Sequence, residues 1–138
     1  MIIIDVIIYI EHIAREIESA TLLKIFLEQK GLKVKIRSVL NEIYKSIVFD
    51  KPKVILLPWC YDDKDFHFFN RMIRFGKKEY PIFLNLHHEQ IINPVTECFF
   101  KTQGFAKEVF HLSWGKCFTE KLIENNISRS KIIEIGSP

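Results

Sequence analysis

Cysteine is scarce in this sequence, and its spacing excludes two kinds of small stabilised domain. The 138 residues include 3 cysteines and no CxxC pair. An odd number of cysteines without paired spacing builds neither a disulfide framework nor a zinc ribbon. We therefore expect a reducing, cytoplasmic compartment, no metal site, and Cys60, Cys98 and Cys117 packed among apolar residues.

The chain also lacks an excess of charge of either sign. Lys and Arg number 20 against 17 Asp and Glu, for a formal net charge of +3. This balance excludes a polybasic arm, so no nucleic-acid partner is expected. A hydrophobic content of 48% excludes a disordered tail, and the length predicts one domain over residues 1–138.

No uncharged run reaches the roughly 20 residues that a bilayer crossing requires. The apolar opening, residues 1–10, lacks the basic start and the cleavage site of a signal peptide, and Asp5 interrupts it. Because its isoleucines and valine suit a pleated sheet, this run predicts a buried first strand.

Three nucleotide-binding and hydrolase motifs are missing. No GxGxxG or GxxxxGK[ST] follows the first predicted strand, and no GxSxG occurs. An NAD-binding Rossmann domain, a P-loop NTPase and an α/β-hydrolase are therefore disfavoured.

What the sequence does contain is an alternation of short β-branched runs with longer amphipathic ones. Strands are predicted at residues 2–10, 33–39, 54–57, 81–86, 108–112 and 131–135. Helices are predicted at residues 12–30, 41–49, 65–78, 96–102 and 116–125, with Gly31 capping the first. The alternation predicts an α/β, Rossmann-like three-layer domain with a six-stranded, mostly parallel sheet.

Polar and aromatic side chains follow these strands, where parallel sheets bind ligands. The residues at these strand ends are Glu11, His12, Trp59, Cys60, Tyr61, Asp62, Asp63, His87, His88, Glu89, Gln90, His111, Ser113, Trp114 and Gly115. Rings that stack, together with imidazoles and carboxylates that bond hydroxyls, are what a sugar or phosphate site requires.

The tetrad from His87 to Gln90 is the most suggestive of these segments. Glu89 or His88 could act as a general base toward a hydroxyl, or Glu89 could cap the next helix. A metal site at His87 and His88 is disfavoured because adjacent residues of an extended chain point in opposite directions.

Two charged segments have two interpretations each. The run 62–65, with three aspartates, could bind Mg²⁺ or cap the helix that follows. The basic face formed by Arg71, Arg74, Lys77 and Lys78 could be solvated, or it could contact anionic lipid or a diphosphate.

Three segments resemble the N-terminal half of a GT-B-type glycosyltransferase, and more narrowly the bacterial surface-carbohydrate and capsular polysaccharide biosynthesis proteins. The first runs from Glu11 through Arg15-Glu16-Ile17 to Gly31, and the second is residues 86–90. The third is residues 111–115 followed by residues 131–138, similar to the family's Trp-Gly and Gly-Asn-Pro signature.

The resemblance implies the acceptor-binding domain of a two-domain enzyme that is cytoplasmic or peripheral at the inner face of the membrane. Its nucleotide-sugar donor would occupy a C-terminal domain, without an essential metal or other cofactor. Gly136-Ser137-Pro138 would lead into that domain, and this chain alone would be inactive.

The roles expected in such a domain fall on the residues after the strands. Glu89 is the first candidate for the base and His88 the second, while Arg15 would meet an anionic acceptor or product phosphate. Trp59, Tyr61 and Trp114 would stack on the saccharide or lipid-linked acceptor.

The alternative is a non-catalytic flavodoxin-like interaction or regulatory domain. A phosphoacceptor receiver is disfavoured, because Glu11 stands alone after the first strand and Pro58-Trp59 ends the third.

Overall fold

The fold was obtained as a computed structural model that describes residues 4–40, 49–61, 81–87 and 104–136. In chain order the strands and α-helices are β1 (Val6–Ile10), α1 (Ile13–Gln29), β2 (Val34–Ser38), β3 (Val54–Leu57), β4 (Ile82–Asn85), β5 (Phe110–Ser113), α2 (Lys116–Glu124) and β6 (Ile132–Glu134). Short 3-10 turns at Gly104–Lys107 and Arg129–Lys131 precede β5 and β6.

The six strands form a parallel sheet in the order β2-β1-β3-β4-β5-β6. β1 aligns with β2 from the pair Val6–Val34 to the pair Ile10–Ser38. The predicted α/β, Rossmann-like fold with six strands is confirmed, and the sheet is wholly parallel rather than mostly parallel.

Strand position explains the hydropathy of the strands. All five residues of β1 are buried, as expected of an interior strand of a parallel sheet covered on both faces. β2 lies at one end of the sheet, and beyond its buried Val34 its residues are half-buried. Its alternating sequence therefore predicted an edge strand correctly.

The contacts divide the chain into two compact units. The first contains β1, α1, β2, β3 and the first two residues of β4. The second contains residues 59–61, the last two residues of β4, and then β5, α2 and β6.

Helix α1 ends as its sequence predicts. Gly31 adopts a φ of 84°, its N–H donates to the Glu28 carbonyl at 2.9 Å, and the N–H of Leu32 donates to the Leu27 carbonyl at 3.2 Å. These two bonds form a Schellman motif, which satisfies carbonyls that the helix end would otherwise leave unpaired.

The apolar spacing of α1 predicts the helix but not the face that packs. Glu16 and Ala20 are its buried residues, whereas Leu22, Ile25 and Phe26 are 70%, 47% and 56% exposed. The exposed apolar residues thus lie opposite the side of α1 that contacts the sheet.

A buried carboxylate joins two cations of β2 in the first unit. Asp50 accepts from Lys35 Nζ at 2.5 Å and from Arg37 Nη2 at 3.1 Å. Burial raises the pKa of Asp50, but the hydrogen bonds from Lys35 and Arg37 outweigh it and hold the pKa below its usual value.

The second unit has its own apolar cluster, formed by Phe118, Leu122, Ile127 and Ile132, against which Tyr61 packs. Cys60 is buried, as predicted, but Cys117 is exposed, so the expected packing role is wrong for that residue. Cys117 is the second residue of α2, whose buried residues are Phe118, Thr119 and Leu122.

Several predictions lie outside the described residues. They are the helices at 65–78 and 96–102, most of the helix at 41–49, the aspartate run 62–65, the basic face at residues 71–78, and Cys98. Within the described ranges, neither helix has both the length and the hydropathy that crossing a bilayer requires.

Candidate functional site

The candidate site is built around His87, which follows β4 in the second unit. The Asn85 amide donates to the Cys60 carbonyl at 2.9 Å, and Asn85 Oδ1 accepts from the backbone N–H of His87 at 3.2 Å. This bridge holds His87 at a φ of 49°, in the left-handed region that non-glycine residues rarely adopt.

His87 and His111 are joined at the centre of the site. The parallel register of β4 and β5 places Asn85 beside His111, and His87 Nε2 lies 2.7 Å from His111 Nδ1. His111 Nε2 lies 2.7 Å from the carbonyl oxygen of Ala106, in the 3-10 turn before β5. Both rings are fully buried.

Burial keeps both imidazoles neutral. It lowers the pKa of His87 well below its usual range, and the neighbouring His111 lowers it further. Burial also lowers the pKa of His111 to about 4, although the hydrogen bond to Ala106 acts in the opposite direction. Each ring therefore carries one proton at neutral pH.

The Ala106 carbonyl fixes where those protons are. A carbonyl only accepts, so His111 donates from Nε2, and its Nδ1 must accept. His87 then donates from Nε2 to His111, which leaves His87 Nδ1 unprotonated. Within the part of the chain that the structure describes, this buried nitrogen has no hydrogen-bond partner.

Aromatic rings extend from His87 toward the surface. The ring centroids of Tyr61 and His87 are 5.9 Å apart, and those of Trp59 and Tyr61 are 6.5 Å apart with nearly parallel planes. Phe118 packs edge-on against His87 at 4.9 Å. Trp59 and Tyr61 are half-buried, whereas His87 and His111 are fully buried.

The end of β5 is held by hydroxyl hydrogen bonds. Ser113 Oγ donates to the Gly115 carbonyl at 2.8 Å and lies 2.8 Å from Thr119 Oγ1. Thr119 Oγ1 also lies 2.9 Å from a carboxylate oxygen of Glu134 on β6. Ser113 is buried and Trp114 is half-buried, at the point where the chain enters α2.

Glu11, His12 and Arg15 belong to the first unit. Glu16 Oε2 accepts from the backbone N–H of Glu11 at 2.8 Å, and Glu16 Oε1 accepts from Arg15 Nη2 at 3.0 Å. His12 is exposed, and its Nε2 lies 3.8 Å from a Glu11 carboxylate oxygen. The buried Glu16, which lies outside the predicted site, therefore orients Arg15.

The structure brings together part of the predicted site. Trp59, Tyr61 and His87 lie in one cluster, while His88, Glu89 and Gln90 are outside the described residues. The sequence placed His111 among the residues at the end of the fifth strand but indicated no role for it in the site. The described residues contain no group of three His, Cys, Asp or Glu side chains that could hold a metal ion.

Comparison of this chain with protein-family models, with curated proteins and with solved structures finds no match.

Proposed function

We propose that this chain is the acceptor-binding domain of a GT-B-type glycosyltransferase. The whole enzyme would transfer a sugar from a nucleotide-activated donor to a growing surface polysaccharide or a lipid-linked acceptor. The wholly parallel sheet supports this proposal, because such sheets bind ligands beyond the carboxyl ends of their strands.

The observation that carries the proposal is the cluster of Trp59, Tyr61 and His87. Two half-buried aromatic rings lie beside an imidazole whose ring nitrogen can accept a hydrogen bond. Saccharide sites combine an aromatic surface for the sugar face with a few polar groups for its hydroxyls. The second unit supplies both from the segments that follow β3 and β4.

The remaining parts of the proposal come from the sequence resemblance. A second domain would bind the nucleotide sugar, and the enzyme would work in the cytoplasm or at the inner face of the membrane. Arg15, oriented by Glu16, is suited to an anionic group on the acceptor. The chain alone would bind the acceptor without turnover.

The test is a binding comparison on the full chain. We expect methyl glycosides to bind more tightly than a nucleotide sugar, and Trp59→Ala to weaken that binding about tenfold through loss of stacking. Phe49→Ala is the matched control, because Phe49 is an aromatic residue of the first unit with 69% exposure. Equal binding by the two variants, or preference for the nucleotide sugar, would contradict the proposal.

One observation favours the non-catalytic alternative. Leu22, Ile25 and Phe26 form an exposed apolar face on α1, and such faces occur at protein interaction sites. An interaction domain predicts no glycoside binding and a concentration-dependent sedimentation coefficient that Phe26→Ser abolishes. Glycoside binding by a chain that sediments as a monomer would exclude this alternative.

A further inference from the structure

The outward face of α1 carries an apolar pair with a charged residue at each end. Four residues spaced four apart lie along one ridge of this helix, and they are Glu18, Leu22, Phe26 and Lys30. All four are exposed, and the exposed Ile25 widens the apolar part of the ridge. The α1 ridge is therefore acidic toward its amino end, apolar in the middle and basic at its carboxyl end.

The basic end of the α1 ridge is directed over its apolar part. Lys30 Nζ lies 5.5 Å from the centroid of the Phe26 ring, within the range of a cation–π contact. Lys24, on a different side of the helix, pairs instead with Glu28. Lys30 is therefore positioned to meet a carboxylate that comes to lie beside Phe26.

The α1 ridge is complementary to a second copy of itself when the two helices run antiparallel. A two-fold axis midway between Leu22 and Phe26 places Leu22 of each copy against Phe26 of the other. The same axis places Glu18 of each copy against Lys30 of the other, because both charged residues lie four positions beyond the apolar pair. A parallel arrangement would set Glu18 against Glu18 and Lys30 against Lys30, and these like charges would repel.

The apolar part of the α1 ridge lies at the level of the amino ends of the strands in the first unit. Lys24, between Leu22 and Phe26 in sequence, donates from Nζ to the carbonyl of Val34, the first residue of β2, at 3.0 Å. Parallel sheets bind ligands at the other end, beyond the carboxyl ends of their strands. A contact through this ridge is therefore independent of the proposed acceptor binding.

We propose that the α1 ridge joins two copies of this chain in an antiparallel, two-fold symmetric dimer. Apolar contact between Leu22 and Phe26 supplies the attraction, and the two pairs of Glu18 with Lys30 fix the orientation. A helix of 17 residues is about 25 Å long and about 10 Å wide. One such face offers less than the roughly 800 Å² per partner that standard stable complexes bury, so we expect reversible association with a Kd of about 1–100 µM.

The experiment is sedimentation equilibrium of the full chain and of charge-reversed variants. The unaltered chain is expected to form dimers, and Glu18→Lys or Lys30→Glu alone should raise the Kd about tenfold or more, because like charges then face each other in both pairs. An equimolar mixture of the two variants should dimerise as the unaltered chain does, because one charge pair is then reversed and the other is unaltered. Glu120→Lys, at an exposed residue of α2, is the matched control and should leave the Kd unchanged.

Three results would overturn the dimer. The first is an unaltered chain that remains monomeric at about 0.5 mM, which would assign this face to a different partner. The second is dimerisation that both single variants retain, and the third is a mixture that associates no more tightly than either variant alone. Because recovery in the mixture requires both variants to be folded, loss of folding cannot produce the expected result.

Discussion

Mild acid is expected to destabilise the second unit through its buried histidine pair. The pKa of His111 falls from 6.5 to about 4 on folding, so the unfolded chain binds a proton between these values and the folded chain does not. Stability is therefore complete above about pH 6.5 and is lost as the pH falls toward about 4. His87, whose pKa is also depressed by burial, acts in the same direction.

The magnitude follows from the His111 shift. At about 1.4 kcal/mol per pH unit, acidification from neutrality to about pH 4.5 removes about 2–3 kcal/mol through His111 alone. Asp50 does not affect stability in this pH range. Because its pKa is lowered on folding, its contribution to the free energy of unfolding is lost only below its ordinary pKa of 3.8.

The assay is urea unfolding at a series of pH values, followed by tryptophan fluorescence. Both tryptophans, Trp59 and Trp114, belong to the unit that contains the pair. His111→Gln should flatten the pH dependence, and His12→Gln, at an exposed position, should leave it unchanged. A midpoint that stays constant down to about pH 4.5, or a full slope in His111→Gln, would refute the reasoning.

Three further predictions concern the first unit and the loops. Asp50→Asn should lower the free energy of unfolding, measured by circular dichroism, by about 1–3 kcal/mol, because it leaves two cations of β2 without their carboxylate. A change below about 0.5 kcal/mol would contradict this prediction. Gly31→Ala should lower the free energy of unfolding, measured by circular dichroism, by about 1 kcal/mol, because the backbone φ is 84° even though an added Cβ would meet no other atom. Gly115→Ala, at an extended φ of 176°, should be nearly neutral, and equal effects of the two substitutions would contradict this reasoning. Ala20→Leu should lower the free energy of unfolding by about 1–3 kcal/mol, because the buried position has no room for the larger side chain. Leu22→Ala, at an exposed position, should change it by less than about 0.5 kcal/mol. The reverse order of effects would show that the other face of α1 is buried.

The strands were predictable because their signals are local. β3 occupies the predicted residues, since a continuous apolar run bounded by Pro58 leaves little freedom in its limits. β5 begins at Phe110 rather than at residue 108, because the buried Val109 extends the apolar run before the strand starts. The packed face of α1 was not predictable, since its buried residues are Glu16 and Ala20 rather than the larger apolar side chains.

The candidate site was predictable only in part, for a related reason. Trp59, Tyr61 and His87 follow strands, and strand ends can be located from sequence. The pairing of His87 with His111 depends on the register of β4 against β5 and on a carbonyl in a 3-10 turn, which no local pattern encodes. The part that His111 plays in the site therefore follows only from its contacts with His87 and Ala106 in the structure.

The nitrogen-15 shift of each imidazole nitrogen in the ligand-free chain at neutral pH reports directly on where the buried pair carries its protons. We expect His87 and His111 both to be protonated at Nε2 alone, with His87 Nδ1 showing the shift of an unprotonated nitrogen. A proton on His87 Nδ1, or a doubly protonated ring at this pH, would contradict this expectation.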